Sequence, residues 1–230
     1  VEKVFKKKKI NILTGTLADK IDDEKILISV GVEGNSQGMG LKEIGINFSA
    51  NHHIAVDSNG KTNIGNIYAV GDVIGSPWLA HVSAAEGLYA VEHLCGLNPK
   101  EIDYNSVPAC TYSKPEVASI GLTEQQLVDD AIEFKVAKSF FIANGKAVAV
   151  GATDGFIKML VGKEGNILGA HIVGSNATEM ISELSVIKSN NLTVNSVLES
   201  VHPHPTFSEA IFETLLLSLI HISEPTRQSP

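Results

Sequence analysis

TNIGNIYAVGD, residues 62–72, is the stretch of sequence that most clearly indicates the fold. Its apolar run, residues 67–70, leads into Gly71 and Asp72, and a loop and a predicted helix follow. Ligands of α/β sheets bind at the carboxyl ends of the strands. Gly71 would let a sugar or phosphate approach the backbone, and Asp72 would offer a carboxylate to hydroxyl groups. A strand-ending turn would explain Gly-Asp alone, but it does not explain the whole string.

The first hundred residues are predicted to contain short strands and one helix. The helix is expected from Ala80 to about Leu94, because apolar residues recur at helical spacing and Gly96 and Pro99 follow as stop signals. Strands are predicted at residues 9–13, 26–30, 53–56 and 67–70. The second of these is a short apolar run, typical of a buried strand, and it ends at Gly31.

A compact α+β domain is predicted from residue 103 onward. Its strands are expected at residues 107–111, 117–120, 135–141, 156–161 and 167–173. Capping-box patterns predict helices that begin after Thr123, Asn176 and Thr206. The apolar face of the last helix, expected from residue 207 to about 216, would consist of Phe207, Ala210, Ile211 and Leu215.

Composition excludes several classes of protein. The 230 residues are 43% hydrophobic and 19% charged, which is a globular balance and excludes a disordered or collagen-like chain. The net charge of −8 gives no electrostatic case for binding nucleic acid. The longest apolar run, residues 215–222, is too short to span a membrane, and we expect no signal peptide from the opening residues. Cys95 and Cys110 are interpreted as free thiols, which fits a reducing compartment such as the cytoplasm or the mitochondrial matrix.

A second chemical motif is HPHPTFSE, residues 202–209. Three structural interpretations compete for it. Glu209 could be only the capping-box partner of Thr206, the two histidines could share a metal ion, or the segment could be a rigid proline-rich turn. The capping interpretation is compatible with a catalytic role for the same glutamate.

The first motif resembles the second flavin fingerprint of the pyridine nucleotide–disulfide oxidoreductases, T-x-x-x-x-(I/V)-(Y/F)-A-x-G-D. In that family the aspartate binds the ribitol chain of FAD, which implies this role for Asp72 beside Gly71. The segment PWLAH, residues 77–81, resembles the P-x-L-A-H segment of the dihydrolipoamide dehydrogenase branch. Backbone amides at a helix start face the flavin pyrimidine there, and they stabilise negative charge on the ring. The resemblance places four residues beside FAD: Trp78, Leu79, Ala80 and His81.

The second motif resembles the H-x-H-P-T-x-x-E signature of the same family. The resemblance implies that His204 is the acid–base group and that Glu209 orients and charges it. Thiol–disulfide exchange needs proton removal near pH 7, and an imidazole paired with a carboxylate can supply it. Pro203 stands at the variable position of the signature.

The resemblance covers about residues 1 to 214 and implies the fold class. Residues 28–35 resemble the end of the family's NAD domain, which would place Gly31 near NAD. We expect α/β and α+β architecture, a remnant of the two-dinucleotide-binding-domain flavoprotein fold followed by an α+β interface (dimerisation) domain. The expected divisions are residues 1–45 (NAD-binding remnant), 46–102 (part of the FAD-binding domain), 103–214 (interface domain) and 215–230 (a non-native tail).

The family's G-x-G-x-x-G loops and C-x-x-x-x-C redox pair are absent from this sequence. The chain therefore looks like the C-terminal half of an enzyme about twice its length. The resemblance implies a homodimer that oxidises dihydrolipoyl groups of 2-oxoacid dehydrogenase complexes through FAD to reduce NAD. Two alternatives remain: a non-catalytic flavin-edge and dimerisation module, and another disulfide reductase of the family, such as one like glutathione reductase.

Overall fold

The computed structural model describes residues 1–17 and 24–220, and it divides the chain into two units. One unit is Leu13–Ile102. The other combines Val1–Ile12 with the chain from Asp103 onward. In this second unit the ammonium group of Lys8 donates a hydrogen bond to the carbonyl of Lys114, 3.0 Å away, and so ties the first residues to the later ones.

The long helix of the Leu13–Ile102 unit spans Ala80–Leu94, as predicted. It is numbered α2, because the short helix α1, Glu2–Lys7, precedes it in the chain. One face of α2 is buried, since its buried residues recur every three to four positions: Val82, Glu86, Tyr89 and Ala90. Short 3-10 turns span Ala50–His52 and Gly71–Ile74, and the second of them packs against α2.

The four strands predicted in the first hundred residues do not form continuous strands, so these predictions are wrong. Residues 26–30 form no strand and are exposed, with Leu27 95% accessible, so Gly31 does not end a buried strand. A buried strand needs neighbouring strands, and none in the described residues pairs with this run. Residues 9–13 are not a strand either. The other two predicted strands each contribute a single bridge, Ile54 to Phe48 and Tyr68 to Lys61.

The other unit contains an antiparallel sheet of five strands. They are β1 Ala109–Thr111, β2 Glu116–Gly121, β3 Phe134–Phe140, β4 Phe156–Gly162 and β5 Ile167–Gly174. Their spatial order is β1-β2-β5-β4-β3. All five were predicted from the sequence to within two residues at each end, because each is a short apolar or alternating run between turn residues.

Further helices belong to this unit, and two of them cover the sheet. The further helices are α3 Glu124–Asp129, α4 Gly145–Ala149, α5 Ala177–Ser189, α6 Val194–Leu198 and α7 Glu209–Ile220. Helix α5 packs on β2 and β5, and α7 packs on β3 and β4. The core between sheet and helices includes Ile157, Met159, Ile172, Leu184 and Ile211, all fully buried. The fold class is confirmed as mixed α/β with an antiparallel α+β unit.

The three predicted capping boxes have different outcomes. Thr123 forms a complete box with Gln126. The box at Asn176 is wrong, because this residue lies in the left-handed region (φ 62°) and makes no side-chain cap bond, although its helix forms. At Thr206 the hydroxyl donates to the Pro203 carbonyl, and the helix begins only at Glu209.

Helix α7 continues to Ile220, past its expected end near residue 216 and past the expected end of the interface domain at residue 214. Leu215 is fully buried and Ser218 is 4% exposed, so both belong to the packed unit. The predicted non-native tail therefore begins inside a helix, and its residues 221–230 lie outside the described residues. No helix in the described ranges is both long and apolar enough to cross a membrane.

Replacing Leu184 with alanine should destabilise the unit formed around the sheet. Leu184 is fully buried on α5, so we expect a loss of about 2–5 kcal/mol in the free energy of unfolding. Val186 on the same helix is 60% exposed, and Val186→Ala should change that energy by less than about 0.5 kcal/mol. Urea unfolding followed by circular dichroism measures both. Equal losses for the two variants would contradict the packing described.

Candidate functional site

The ring of His204 is bonded to the carboxylate of Glu209. Nδ1 of His204 lies 2.9 Å from Oε1 of Glu209. A carboxylate only accepts, so Nδ1 carries the proton in this bond, and in the neutral ring Nε2 is left as the base. The His204 side chain is 75% exposed, whereas that of Glu209 is 21% exposed. The pair is therefore an accessible imidazole oriented by a sheltered carboxylate.

Glu209 is fixed by a second contact at the start of α7. Its Oε2 accepts the backbone N–H of Thr206 at 2.7 Å. The Thr206 N–H, and after it the His204 ring, hold the pKa of the Glu209 carboxyl below its ordinary value of 4.5. Glu209 therefore stays negatively charged near neutral pH, where a charged carboxylate stabilises a protonated imidazole.

Asn144 is a supporting residue that the sequence analysis missed. It is 1% exposed, and its amide donates to the Thr206 carbonyl at 3.0 Å. Its own carbonyl oxygen accepts the N–H of Ala147 and caps α4. A buried asparagine thus holds the loop that carries His204. Its capping position before Gly145 was visible in the sequence, but its contact 62 residues away was not.

The two histidines of the second motif do not share a partner. His202 Nε2 lies 2.8 Å from Glu183 Oε1 on α5, whereas His204 bonds Glu209 on α7. Across the described parts of the chain, no three His, Cys, Asp or Glu side chains gather as a metal site would require. Glu209 does act at the helix start, as the capping interpretation supposed, while also holding the histidine.

The Gly-Asp end of the first motif is anchored to α2. The N–H of Gly71 donates to Glu86 Oε2 at 2.7 Å, and Glu86 is 8% exposed. Gly71 has a φ of +77°, and a Cβ at this position would lie 2.7 Å from the hydroxyl oxygen of Ser83. The positive φ favours glycine, and any Cβ here would also require the Ser83 side chain to move. Glu86 was not singled out from the sequence, because its partner is 15 residues away.

The predicted flavin residues lie on two adjoining elements of one unit. Asp72 is exposed on the turn Gly71–Ile74, which packs against α2. Helix α2 begins at Ala80, and its N-cap is Leu79, whose side chain makes no cap hydrogen bond. The helix start therefore keeps backbone donors that no N-cap side chain satisfies, and such donors favour negative charge. An exposed carboxylate and an uncapped helix start suit a polyol and an electron-rich ring, respectively.

Trp78 stacks on a buried histidine. Its ring centroid lies 6.2 Å from that of His53, with 23° between the planes, and Trp78 itself is 43% exposed. His53 is 6% exposed, and its Nδ1 lies 3.0 Å from the carbonyl of Ala50. One face of the Trp78 ring therefore packs on His53, while much of the side chain remains exposed to solvent. His53 was taken only as part of a strand in the sequence analysis.

Two family models match the chain. Pyridine nucleotide-disulphide oxidoreductase matches residues 1–87, and the dimerisation domain of pyridine nucleotide-disulphide oxidoreductase matches residues 107–215. A dihydrolipoyl dehydrogenase of Bacillus subtilis is 40% identical over 239 residues, covering 94% of this chain and 50% of the relative. That of Zymomonas mobilis is 38% identical, covering 94% and 51%. The chain spans about half the length of the curated relatives it matches.

Solved structures agree with these matches. LpdA from Mycobacterium tuberculosis is similar with a TM-score of 0.76 and 27% identity, covering 80% of this chain and 40% of that one. The HOCl-induced flavoprotein disulfide reductase RclA from Escherichia coli has a TM-score of 0.77 at 22% identity, over 82% of this chain and 43% of that one. The second likeness is one of fold alone.

Replacing Glu209 with glutamine should change how stability depends on pH. The pKa of Glu209 is lowered in the folded chain, so its charge contributes stability that is present above pH 4.5 and is lost as pH falls through the folded pKa. The difference in unfolding free energy between the wild-type chain and Glu209→Gln should therefore shrink as pH falls below 4.5. Urea unfolding at a series of pH values measures it.

Glu213 on the same helix provides a control, because its contribution to the unfolding free energy should change with pH in the opposite direction. Burial, and after it the charge of Glu209, raises the pKa of Glu213. The wild-type chain should therefore lose stability relative to Glu213→Gln as pH rises through 4.5. A difference that does not vary with pH for Glu209→Gln would contradict the His204–Glu209–Thr206 geometry.

Proposed function

Since the chain belongs to the pyridine nucleotide-disulphide oxidoreductase family, we propose that it forms part of a dihydrolipoyl dehydrogenase. In this proposal a dihydrolipoyl dithiol is oxidised to a disulfide, and NAD receives the electrons. Family members use FAD and NAD. The observation that carries the proposal is the 2.9 Å bond between His204 and Glu209 in the segment matched as the dimerisation domain.

His204 would be the acid–base group. With Nδ1 donating to Glu209, its Nε2 is free to take a proton from a thiol, and the exposed ring gives a reactant access. The positive charge that then develops would be stabilised by the Glu209 carboxylate. The thiolate left behind is the nucleophile of disulfide exchange. Release of that proton from the same nitrogen to solvent would complete the cycle, because oxidation of a dithiol by NAD yields NADH and one proton.

The residues at the start of α2 and before it would hold the edge of FAD. Asp72 would accept hydrogen bonds from ribitol hydroxyls, and the backbone at Leu79, Ala80 and His81 would face the flavin pyrimidine. Trp78 would contribute ring surface there. The uncapped helix start and the exposed Asp72 fit this group. Bound FAD supplies a two-electron acceptor between dithiol and NAD.

A homodimer would place a partner beside His204. A Cβ built on Gly145 would lie 3.7 Å from Cε1 of His204, so the start of α4 adjoins the ring. The nearby apolar residues Ile142, Val148 and Val150 are 68%, 55% and 54% exposed. A second copy would cover such a surface and bring its own flavin and dithiol towards the imidazole.

The remaining assignments, of domains, NAD and the electron donor, are carried over from the family to this chain. Residues 1–45 would be an NAD-binding remnant with Gly31 near NAD, residues 46–102 part of the FAD-binding domain, and residues 103–214 the interface domain. Gly31 has a φ of +119°, a conformation that favours glycine. Dihydrolipoyl groups of 2-oxoacid dehydrogenase complexes would be the electron donors.

The cysteines favour a second candidate function for the chain taken alone. Cys95 and Cys110 are both free and are fifteen positions apart, so they do not form the C-x-x-x-x-C redox pair of the family. Without that pair this chain would act as a non-catalytic flavin-edge and dimerisation module. Mixing it with dihydrolipoamide, FAD and NAD and following absorbance tests this candidate, because formation of NADH by the chain alone would exclude it.

His204→Gln should abolish most of the activity in a complete enzyme. Residues 1–220, which include the whole of helix α7, joined to the remaining half of the Bacillus subtilis relative provide one. We expect dihydrolipoamide oxidation to slow by roughly 10²–10⁴-fold with FAD retained, the usual contribution of general acid–base catalysis. His52→Gln is the matched control, because His52 is exposed and lies in neither site. Full turnover by the His204→Gln chimera would reduce His204 to a turn residue.

The chain alone should bind FAD weakly and NAD not measurably. It keeps the residues proposed for the flavin edge, but its sequence has no G-x-G-x-x-G loop to hold a diphosphate. Flavin should therefore be lost during gel filtration, and calorimetry with NAD should show no saturable heat. Retention of yellow colour, or a saturable NAD isotherm, would contradict this expectation.

A further inference from the structure

A second histidine–carboxylate pair lies at the other end of the loop that carries His204. Nε2 of His202 is 2.8 Å from Oε1 of Glu183 on α5. Only 10% of the His202 side chain is exposed, against 75% for His204. The His202 ring also packs on Phe212 of α7, with ring centroids 5.6 Å apart. His202 therefore joins the loop to two helices at once.

The two rings carry their protons on opposite nitrogens. The bond to Glu183 makes Nε2 the donor in His202, and its Nδ1 is buried with no hydrogen-bond partner among the described residues. In His204 the donor is Nδ1, which bonds Glu209. Nε2 of His204 is then the free base, whereas neither nitrogen of His202 is both basic and accessible.

The loop is held on both sides of His204. On the C-terminal side, Thr206 bonds Glu209 through its N–H and Asn144 through its carbonyl. On the N-terminal side, Val201 is 97% exposed, whereas the side chain of the next residue, His202, is largely buried. The His202–Glu183 bond is thus the attachment that precedes the exposed imidazole.

We propose that His202 and Glu183 form a positioning pair that keeps His204 bonded through Nδ1 to Glu209. The inference rests on the proposed acid–base role of His204 and assigns a further pair of residues to it. His202 touches no reactant in this scheme. It acts through the loop, by limiting the conformations in which Nδ1 of His204 could leave Glu209.

Histidine-selective ¹⁵N NMR of the full chain tests the pair, because two-bond ¹H–¹⁵N couplings report which ring nitrogen carries the proton. In the wild-type chain His204 should show the Nδ1–H form and His202 the Nε2–H form. In His202→Phe, which keeps a ring against Phe212, His204 should shift to the mixed tautomers of free histidine. Amide exchange of Thr206 should accelerate roughly tenfold, as expected when one hydrogen bond is weakened.

Variants of Glu183 keep the test decisive if His202→Phe does not fold. Glu183→Ala should reproduce both changes, and Glu183→Gln should partly restore the wild-type signals because its amide oxygen still accepts from His202. Glu179→Gln, the same change one turn earlier on α5 at an exposed position, should change neither.

Unchanged His204 tautomer and Thr206 exchange in a folded His202→Phe or Glu183→Ala chain would overturn the proposal. A wild-type His204 without the Nδ1–H form would overturn both the pair and the acid–base role. A fully active His204→Gln chimera would overturn the acid–base role alone, because the coupling between residues 202 and 204 is measured without turnover.

Discussion

The bidentate use of the Glu209 carboxylate is the interaction on which the candidate chemistry depends. One oxygen holds the N–H of Thr206 and the other holds His204. The first bond fixes the carboxylate at the start of α7 and lowers its pKa, and the second directs the imidazole. If either were lost, an exposed histidine would be free to rotate. Helix capping and the proposed acid–base chemistry would therefore share one arrangement, in which the contact at the helix start gives the carboxylate its position and charge.

The sheet supplies the rigidity behind this arrangement. Helices α5 and α7 cover different strand pairs of one antiparallel sheet, and each presents a carboxylate to the same loop, Glu183 from α5 and Glu209 from α7. Leu184 and Ile211, next to or near these carboxylates in sequence, are fully buried in the core. Moving either carboxylate would require moving a buried side chain, which a close-packed core resists.

Local sequence signals predicted the five strands and helices α3, α5 and α7 of the unit formed around the sheet, but they missed the short helices α4 and α6. In the other unit, Gly96 and Pro99 marked the end of α2. Short apolar runs marked β3, β4 and β5. The same type of signal failed at residues 26–30, because an apolar run becomes a strand only when other strands pair with it. Asn176 failed for a different reason: its left-handed backbone prevents the cap that its residue type suggests.

The motif residues were predictable from the sequence, but the residues that hold their loop in place were not. His204 and Glu209 are five residues apart within one short signature, so the resemblance to the family's H-x-H-P-T-x-x-E motif carried the prediction. Asn144 bonds a carbonyl 62 residues away, and Glu183 bonds a histidine 19 residues away. Contacts of this range depend on how the sheet brings the helices together, and a single sequence does not specify them before the fold is known.

The two candidate sites share one arrangement of exposed and buried groups. At each, the proposed functional side chain is exposed, Asp72 in one and His204 in the other. A buried polar side chain holds the adjacent backbone, Glu86 in one and Asn144 in the other. Removing a buried group leaves an unsatisfied partner and costs stability, whereas removing an exposed one mainly removes chemistry. Stability and activity should therefore respond to different residues within each site, and this separation distinguishes a functional group from its support.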